Sequence, residues 1–323
     1  MDHPVTGSEA HSHADRGLSR RGVLRAASVG AAALGAAGAL ATTAAPAAAS
    51  PDAAARPGNR RVPRDRISIQ LYTLRDQLAI DLHGTLEALA AIGYTRVEHA
   101  GFVGRTAAEF RAALDAAGLR ATSGHAGIPQ PFSASQWEQA LADAHTVGCT
   151  YLVHPWFGAD AAGPIRDGDK YRAFADDLNL AGELARRAGI RFGYHNHQNE
   201  FFRQTAEQRH GFDILTKRTE EKLLHLEVDL FWAFRGAQDP VDLFRKHQRR
   251  IRQVHVKDLN ANGSFEDPGQ GLIDFGRIFD QARQFGLDEF IVERDDAGTP
   301  PRNPADALST ARAGYQYLAS LRY

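Results

Sequence analysis

A single cysteine, Cys149, stands among the 323 residues, so no intramolecular disulfide can form and packing must hold the fold together. Cys149 lies in the apolar run Val147-Gly148-Cys149-Thr150-Tyr151-Leu152-Val153, where a thiol is expected to pack as a small inert hydrophobe rather than act as a nucleophile. Charge of one sign is lacking too. The 38 Lys and Arg face 39 Asp and Glu for a formal net charge of -1, so no global field attracts a polyanion, and nucleic acid is excluded as a default partner. A strongly apolar span is also absent from residues 26–49, which are mostly Ala and Gly and would insert poorly, so no stable membrane anchor is expected. The remainder is ordinary for a folded chain, with 43% hydrophobic and 24% charged residues able to build a substantial core.

The amino terminus differs in kind from the rest. A basic stretch is followed by the Ala/Gly run and then by Ala47-Ala48-Ala49 before Ser50, the order of an export signal. Within it, Ser19-Arg20-Arg21-Gly22-Val23-Leu24-Arg25 resembles the twin-arginine signal, with Val23 and Arg25 where Phe and Lys usually stand. That resemblance implies handling by the twin-arginine translocon and an extracellular or periplasmic destination. With no cysteine near the cut, lipid anchoring is excluded. Residues 1–49 are read as signal peptide, 50–66 as a flexible Pro/Arg/Ala-rich linker, and 67–323 as one catalytic domain.

From residue 67 onward, β-rich runs alternate with amphipathic stretches. Strands are expected at 67–72, 96–98, 121–124, 151–154, 191–194, 224–228, 254–256 and 290–292, and helices at 82–92, 107–117, 137–146, 171–188, 211–217, 240–249, 275–285 and 305–318. Gly93, Gly118, Gly189 and Gly286 follow helical stretches as left-handed C-caps would. Eight βα units in about 260 residues predict an α/β fold of the (β/α)8 TIM-barrel type. The first strand leads into Leu71-Tyr72-Thr73-Leu74-Arg75-Asp76 without a glycine, so the phosphate turn of an open nucleotide-binding sheet is missing.

In such a barrel the chemistry sits at the carboxyl ends of the strands. The polar residues there are Gln70 and Tyr72, Glu98 and His99, His125, His154, His195 with His197, Asp229, His255 with Lys257 and Asp258, and Glu293. Converging carboxylates would be costly without a cation, and imidazole nitrogen mixed with carboxylate oxygen suits one divalent metal ion: Mn, Mg, Co, Fe or Zn. The aromatic residues Trp156, Phe157, Phe231 and Trp232 offer faces for a sugar ring or packing for the core. The basic segment 245–252 is expected to be a solvated face at the opposite barrel end.

The stretches ISIQLYTLRD (67–76), FGYHNHQNEF (192–201), LEVDLFWAFRGAQDPVDLF (226–244), VHVKD (254–258), GQGLIDF (269–275) and FIVERD (290–295) resemble those of the xylose-isomerase-like barrels, the sugar phosphate isomerase/epimerase group that shares its domain with endonuclease IV-type enzymes. The resemblance implies four metal ligands, mapping onto His195, Asp229, His255 and Glu293. Many sugar epimerases of this fold carry a glutamate at the first position, whereas this chain has Tyr194-His195-Asn196-His197, in which either histidine could reach the metal.

The expected activity is metal-dependent isomerisation or epimerisation of a sugar by proton abstraction next to a carbonyl through an enediolate. Glu293, His197, Glu200 or Lys257 would supply the proton-transfer and oxyanion-binding groups, although a salt bridge is the rival role for Lys257. Gln70, Tyr72, Glu98, His125, His154, Trp156 and Trp232 would bind substrate. The missing glutamate keeps open a lyase or hydratase acting by β-elimination on 3-keto-glycosides or other keto-sugars. An abasic-site endonuclease, disfavoured by the charge balance, and a non-catalytic sugar-binding barrel are the remaining alternatives.

Overall fold

Runs rich in Val, Ile, Tyr and Phe alternate with stretches whose apolar residues repeat at helical spacing, and the chain folds as that alternation dictates. The computed structural model describes residues 58, 60–203, 209–282 and 286–323. The expected signal peptide lies outside them. The barrel strands are β1 (Ile67–Ile69), β2 (Arg96–His99), β3 (Arg120–Gly124), β4 (Tyr151–His154), β5 (Arg191–His195), β6 (His225–Asp229), β7 (Ile251–Val256) and β8 (Glu289–Val292). The helices are α1 (Arg75–Ile80), α2 (Leu82–Ile92), α3 (Ala107–Ala116), α4 (Ala134–Val147), α5 (Gly168–Arg187), α6 (Gly211–Arg218), α7 (Leu230–Arg235), α8 (Pro240–His247), α9 (Phe275–Ala282) and α10 (Asp306–Ser320).

Six strands pair in parallel in the order β1-β8-β7-β6-β5-β4, and β2 pairs in parallel with β3. Single parallel bridges, Gln70 to Glu98 and His125 to Val153, join this pair to β1 and β4 and close the TIM barrel. Local chemistry sets the helix limits. Thr106 and Glu109 form a reciprocal capping box on α3, and Asp239 caps α8 with Pro240 at its first turn. Gly118 and Gly189 leave α3 and α5 at φ 71° and 76°, a conformation that L side chains seldom adopt.

The apolar core lies between strands and helices, where Leu86, Phe110, Trp137, Phe174, Phe244 and Ile278 are buried. The barrel interior is different. Branched aliphatic side chains usually fill it, but here Ser68, Gln70, Glu98, Ser123, Glu227, Gln253 and Glu289 are all fully buried. Toward the amino ends of the strands, Glu289 accepts from Gln253 Nε2 (2.8 Å) and from Thr122, while Gln253 Oε1 accepts from His225 Nε2 (2.8 Å).

Several expectations shift in detail. Strand β1 stops at Ile69 because the Gln70 side chain accepts from Tyr72 N (3.0 Å) and turns the chain into a 3-10 helix. Within the segment expected to be linker, Arg60 and Tyr323 exchange two backbone hydrogen bonds, and Val62 is buried. Cys149 is buried and its thiol is pushed up to about 12 by burial, as suits a packing role. In the basic segment, Arg250 turns inward instead of facing solvent and donates to Leu224 O (3.0 Å) and Thr216 O (2.5 Å).

Candidate metal centre

Side chains alternate along a strand, so Glu227 and Asp229 on β6, and His255 and Lys257 on and just past β7, point the same way, into the barrel mouth. Glu293 follows β8 and His195 ends β5. One donor atom from each of His195, Asp229, His255 and Glu293 lies within 4.8 Å of all the others, and all four residues are buried. Lys257, buried as well, brings its ammonium to 3.0 Å from Asp229 Oδ2, 2.8 Å from Glu293 Oε2 and 2.7 Å from Asp295 Oδ1.

Two carboxylates beneath this group orient its histidines. Glu227 Oε1 meets three imidazole nitrogens, His125 Nε2 at 2.8 Å, His195 Nδ1 at 3.0 Å and His255 Nε2 at 3.0 Å. Glu98 Oε1 also accepts from His255 Nε2 (2.8 Å) and from Gln70 Nε2 (2.7 Å), and Glu98 Oε2 accepts from Ser123 Oγ (2.5 Å). With Nδ1 of His195 and Nε2 of His255 engaged below, the other nitrogens, His195 Nε2 and His255 Nδ1, face Asp229 (3.6 Å) and Glu293 (2.6 Å). Histidines that ligate metals are oriented by this kind of outer carboxylate.

The electrostatics report a site with excess negative charge. Burial opposes the His125 imidazolium, yet Glu98 and Glu227 raise it to about 10. Burial likewise opposes the His255 and Lys257 cations, but the surrounding carboxylates hold both well above their ordinary values. Burial pushes Asp229 upward, with Lys257 and His255 only partly offsetting it, and Asp295 rises to about 6 for the same reason. Among the described residues Asp229 Oδ2 accepts no hydrogen bond, although the Lys257 ammonium lies 3.0 Å away. An orphaned buried carboxylate oxygen, surplus negative charge and a compact set of nitrogen and oxygen donors fit a divalent cation.

Above the donors opens a cavity of about 530 Å³, within the roughly 300–1,000 Å³ usual for small-molecule sites. His125, His195, His197, Lys257 and Glu293 form its polar side, and Tyr72 and Trp156, both exposed, stand on its rim. His197 faces the cavity and stays outside the four-donor group; among the described residues its Nδ1 has no partner, and burial, followed by the Lys257 ammonium, lowers it to about 3. Trp232 packs behind it, its ring 5.2 Å from that of His197 and 5.5 Å from Lys257 Nζ.

Other expected substrate-binding residues have different surroundings. Gln70 and Glu98 lie below the mouth in the network just described. His154 Nδ1 accepts from Ile128 N (3.0 Å) and its Nε2 donates to Trp156 O (2.9 Å), so both nitrogens hold loops. Glu200, expected among the proton-transfer groups, instead accepts from Tyr194 Oη (2.7 Å) and His197 N (3.1 Å) and braces the loop behind the cavity. Sequence reading passed over Glu227 and Asp295. Each lies two residues from an expected ligand, Glu227 before Asp229 on β6 and Asp295 after Glu293, and the two-residue period was the available signal.

The fold, the donor group and its cavity occur in a chain whose residues 86–318 match the model of the xylose isomerase-like TIM barrel family. The chain belongs to that family. Among relatives of this barrel family, inosose dehydratase of Clostridium beijerinckii is 28% identical over 196 residues, 52% of this chain and 64% of that protein. The match therefore spans a little under two thirds of that relative's length. A sugar phosphate isomerase/epimerase of Parabacteroides distasonis has the same fold at a TM-score of 0.67, with 25% identity over 80% of this chain and 95% of its own. The IOLI protein, solved with a bound zinc atom, superposes at a TM-score of 0.62 with 14% identity, covering 80% of this chain and 99% of its own, a likeness of fold.

Proposed function

We propose that the chain is a divalent-metal-dependent sugar isomerase or epimerase that removes a proton from the carbon beside a carbonyl and passes through an enediolate. The observation that carries this reading is the four-donor group of His195, Asp229, His255 and Glu293 opening onto a cavity that also holds Lys257 and the unpartnered His197. Membership of the barrel family and the likeness to a sugar phosphate isomerase/epimerase support it. These four residues would hold the cation, Mn, Mg, Co, Fe or Zn, which supplies Lewis-acid polarisation of the substrate carbonyl.

The chain's own groups do the rest. Trp156 and Tyr72 flank the entrance and offer aromatic faces to the apolar side of a sugar ring. Lys257, held by Asp295 and Glu293, donates to the substrate oxygen on which negative charge develops. The His197 imidazole takes the carbon-bound proton. Isomerisation returns it to the neighbouring carbon, while Lys257 gives a proton to one oxygen and takes the hydroxyl proton from the other. Epimerisation needs a second acid on the opposite face, a role open to Glu293 on the same cavity.

A second reading is β-elimination, in which the same proton is removed, the carbon–oxygen bond at the β position breaks, and the hydroxyl leaves as water with a proton from Lys257. Two points favour it: β5 ends in His195, where the family resemblance implies a glutamate in many sugar epimerases, and the Clostridium beijerinckii relative is named a dehydratase. Incubation of metal-loaded protein with a panel of ketoses, keto-glycosides and inososes in D2O tests both. Isomerisation exchanges the carbon-bound proton without ultraviolet change, elimination creates an absorbing enone, and His197→Ala is expected to abolish either while leaving metal content intact. Silence across the panel with every metal sinks both readings.

We further propose export by the twin-arginine route, supported by Arg20 and Arg21 ahead of the Ala/Gly run. A reporter fused to residues 1–49 should leave the cytoplasm and stay inside when both arginines become lysine.

A further inference from the structure

A second cavity, of about 370 Å³, adjoins the first, and the two share Ala100 and Gly101. One wall comes from α1 and the turn before it, with Leu71, Arg75 and Leu78; the loop from β2 to α3 gives the other, with Val103, Gly104 and Arg105. Both charged residues on its wall are arginines, and among the described residues neither has a carboxylate within ion-pair distance, although Glu109 lies within electrostatic reach of Arg105: Arg75 Nη1 donates to the carbonyls of Tyr72 (2.8 Å) and Asp295 (2.9 Å), and Arg105 Nη1 to that of Val103 (2.9 Å). Arg75 is thereby fixed at the junction, its guanidinium 4.1 Å from the Tyr72 ring centre, while Tyr72 and Asp295 line the first cavity.

The opposite wall is held in an unusual shape. Val103 sits at φ 55°, left-handed backbone that a β-branched residue rarely adopts, between Gly101 at 84° and Gly104 at 71°. Phe102 anchors the loop against the rings of His99 (5.1 Å) and Phe110 (5.7 Å). Such strain persists where the surroundings over-determine it, and it concentrates at ligand clamps. The two cavities also differ in charge: in the first, Glu293 and Asp295 are paired with Lys257, whereas the second, among the described residues, has guanidinium groups and no carboxylate on its wall.

We propose that the second cavity is a subsite for an anionic group on the sugar, a carboxylate, sulfate or phosphate ester, which extends from the metal centre past Ala100 and Gly101 to Arg75 and Arg105. Guanidinium groups bind the oxygens of such groups through paired charge-assisted hydrogen bonds. This inference rests on the sugar-enzyme reading for the identity of the ligand's other half.

The test is calorimetric titration of the metal-loaded full chain with D-glucuronate, glucose 6-sulfate, glucose 6-phosphate, uncharged D-glucose and inorganic sulfate, repeated with Arg105→Gln and Ala79→Trp. Arg105 and Ala79 are exposed, and Ala79→Trp fills the second cavity without reaching the first. At least one charged ligand is expected to bind about tenfold more tightly than glucose at low salt, with the preference fading as salt rises and falling about tenfold in either variant. The tightest charged sugar identifies the group. Equal affinity for charged and neutral sugars, no binding of any anion, or a preference that survives both variants overturns the subsite. Proton exchange on neutral sugars without anion preference leaves the enzymatic reading standing; anion preference without any turnover leaves the subsite standing and removes that reading.

Discussion

Replacing Glu227 by glutamine changes one atom type and tests the whole arrangement of the centre. One carboxylate oxygen contacts His125, His195 and His255 at 2.8, 3.0 and 3.0 Å, and two of those rings belong to the four-donor group. The amide keeps the shape and loses the charge, so each contact falls from a charged to a neutral hydrogen bond, about 1 kcal/mol apiece. For the two ligand-group rings that sums to about 2 kcal/mol, roughly thirtyfold in the metal dissociation constant, within the ~10–100-fold typical when an orienting partner is lost. Metal-free Glu227→Gln protein should therefore fold, by circular dichroism, and bind Zn2+ or Mn2+ that much more weakly in competition with a chromophoric chelator. Should His195→Ala abolish binding while Glu227→Gln leaves it unchanged, the orienting role assigned to Glu227 is wrong. Should neither matter, the ligand group itself is wrong.

Two further perturbations probe the surroundings. Burial raises the Glu289 carboxyl from 4.5 to about 7, so between those values the native state keeps a proton that the unfolded chain releases. Stability should fall as pH rises through that window and level off above it, and Glu289→Gln should flatten the fall by about 3 kcal/mol in denaturant titrations at either end. An unaltered pH profile would contradict it. His154→Ala removes the bonds to Ile128 N and Trp156 O, a loss of about 1–3 kcal/mol that should weaken sugar binding through the Trp156 loop while metal affinity stays constant; a change in metal affinity would place His154 in the centre itself.

The fold was legible because strand and helix periods differ and each βα unit announces itself locally. The eight strands fall close to where β-rich runs were read, and the first ran long only because Gln70 spends its side chain on Tyr72 N, a local bond that no periodicity reveals. The site was legible by class of residue and less so by role. His154 occupies a strand end like His195, yet backbone partners supplied by the loops at Ile128 and Trp156 consume it, and those loops have no sequence signature. Glu227 was hidden in plain view: inward-facing residues below the mouth are ordinarily aliphatic, so a carboxylate there drew no notice. Its partners come from β3, β5 and β7, an encounter that only barrel closure brings about.

Among the described residues the β2–β3 pair joins the rest of the barrel by the Gln70 to Glu98 bridge on one side and, on the other, by the His125 to Val153 bridge and the Thr150 N to Thr122 O bond (2.9 Å). The same pair carries Glu98 and His125, whose side chains reach across the interior to His255 and Glu227. The polar cluster thus acts as a buckle across two thinly stitched seams, and chemistry and mechanical closure share the same few bonds. A chain built this way has little freedom to retune its histidines without loosening its own wall, and hydrogen exchange in β2 and β3 should register a change at the mouth before any helix does.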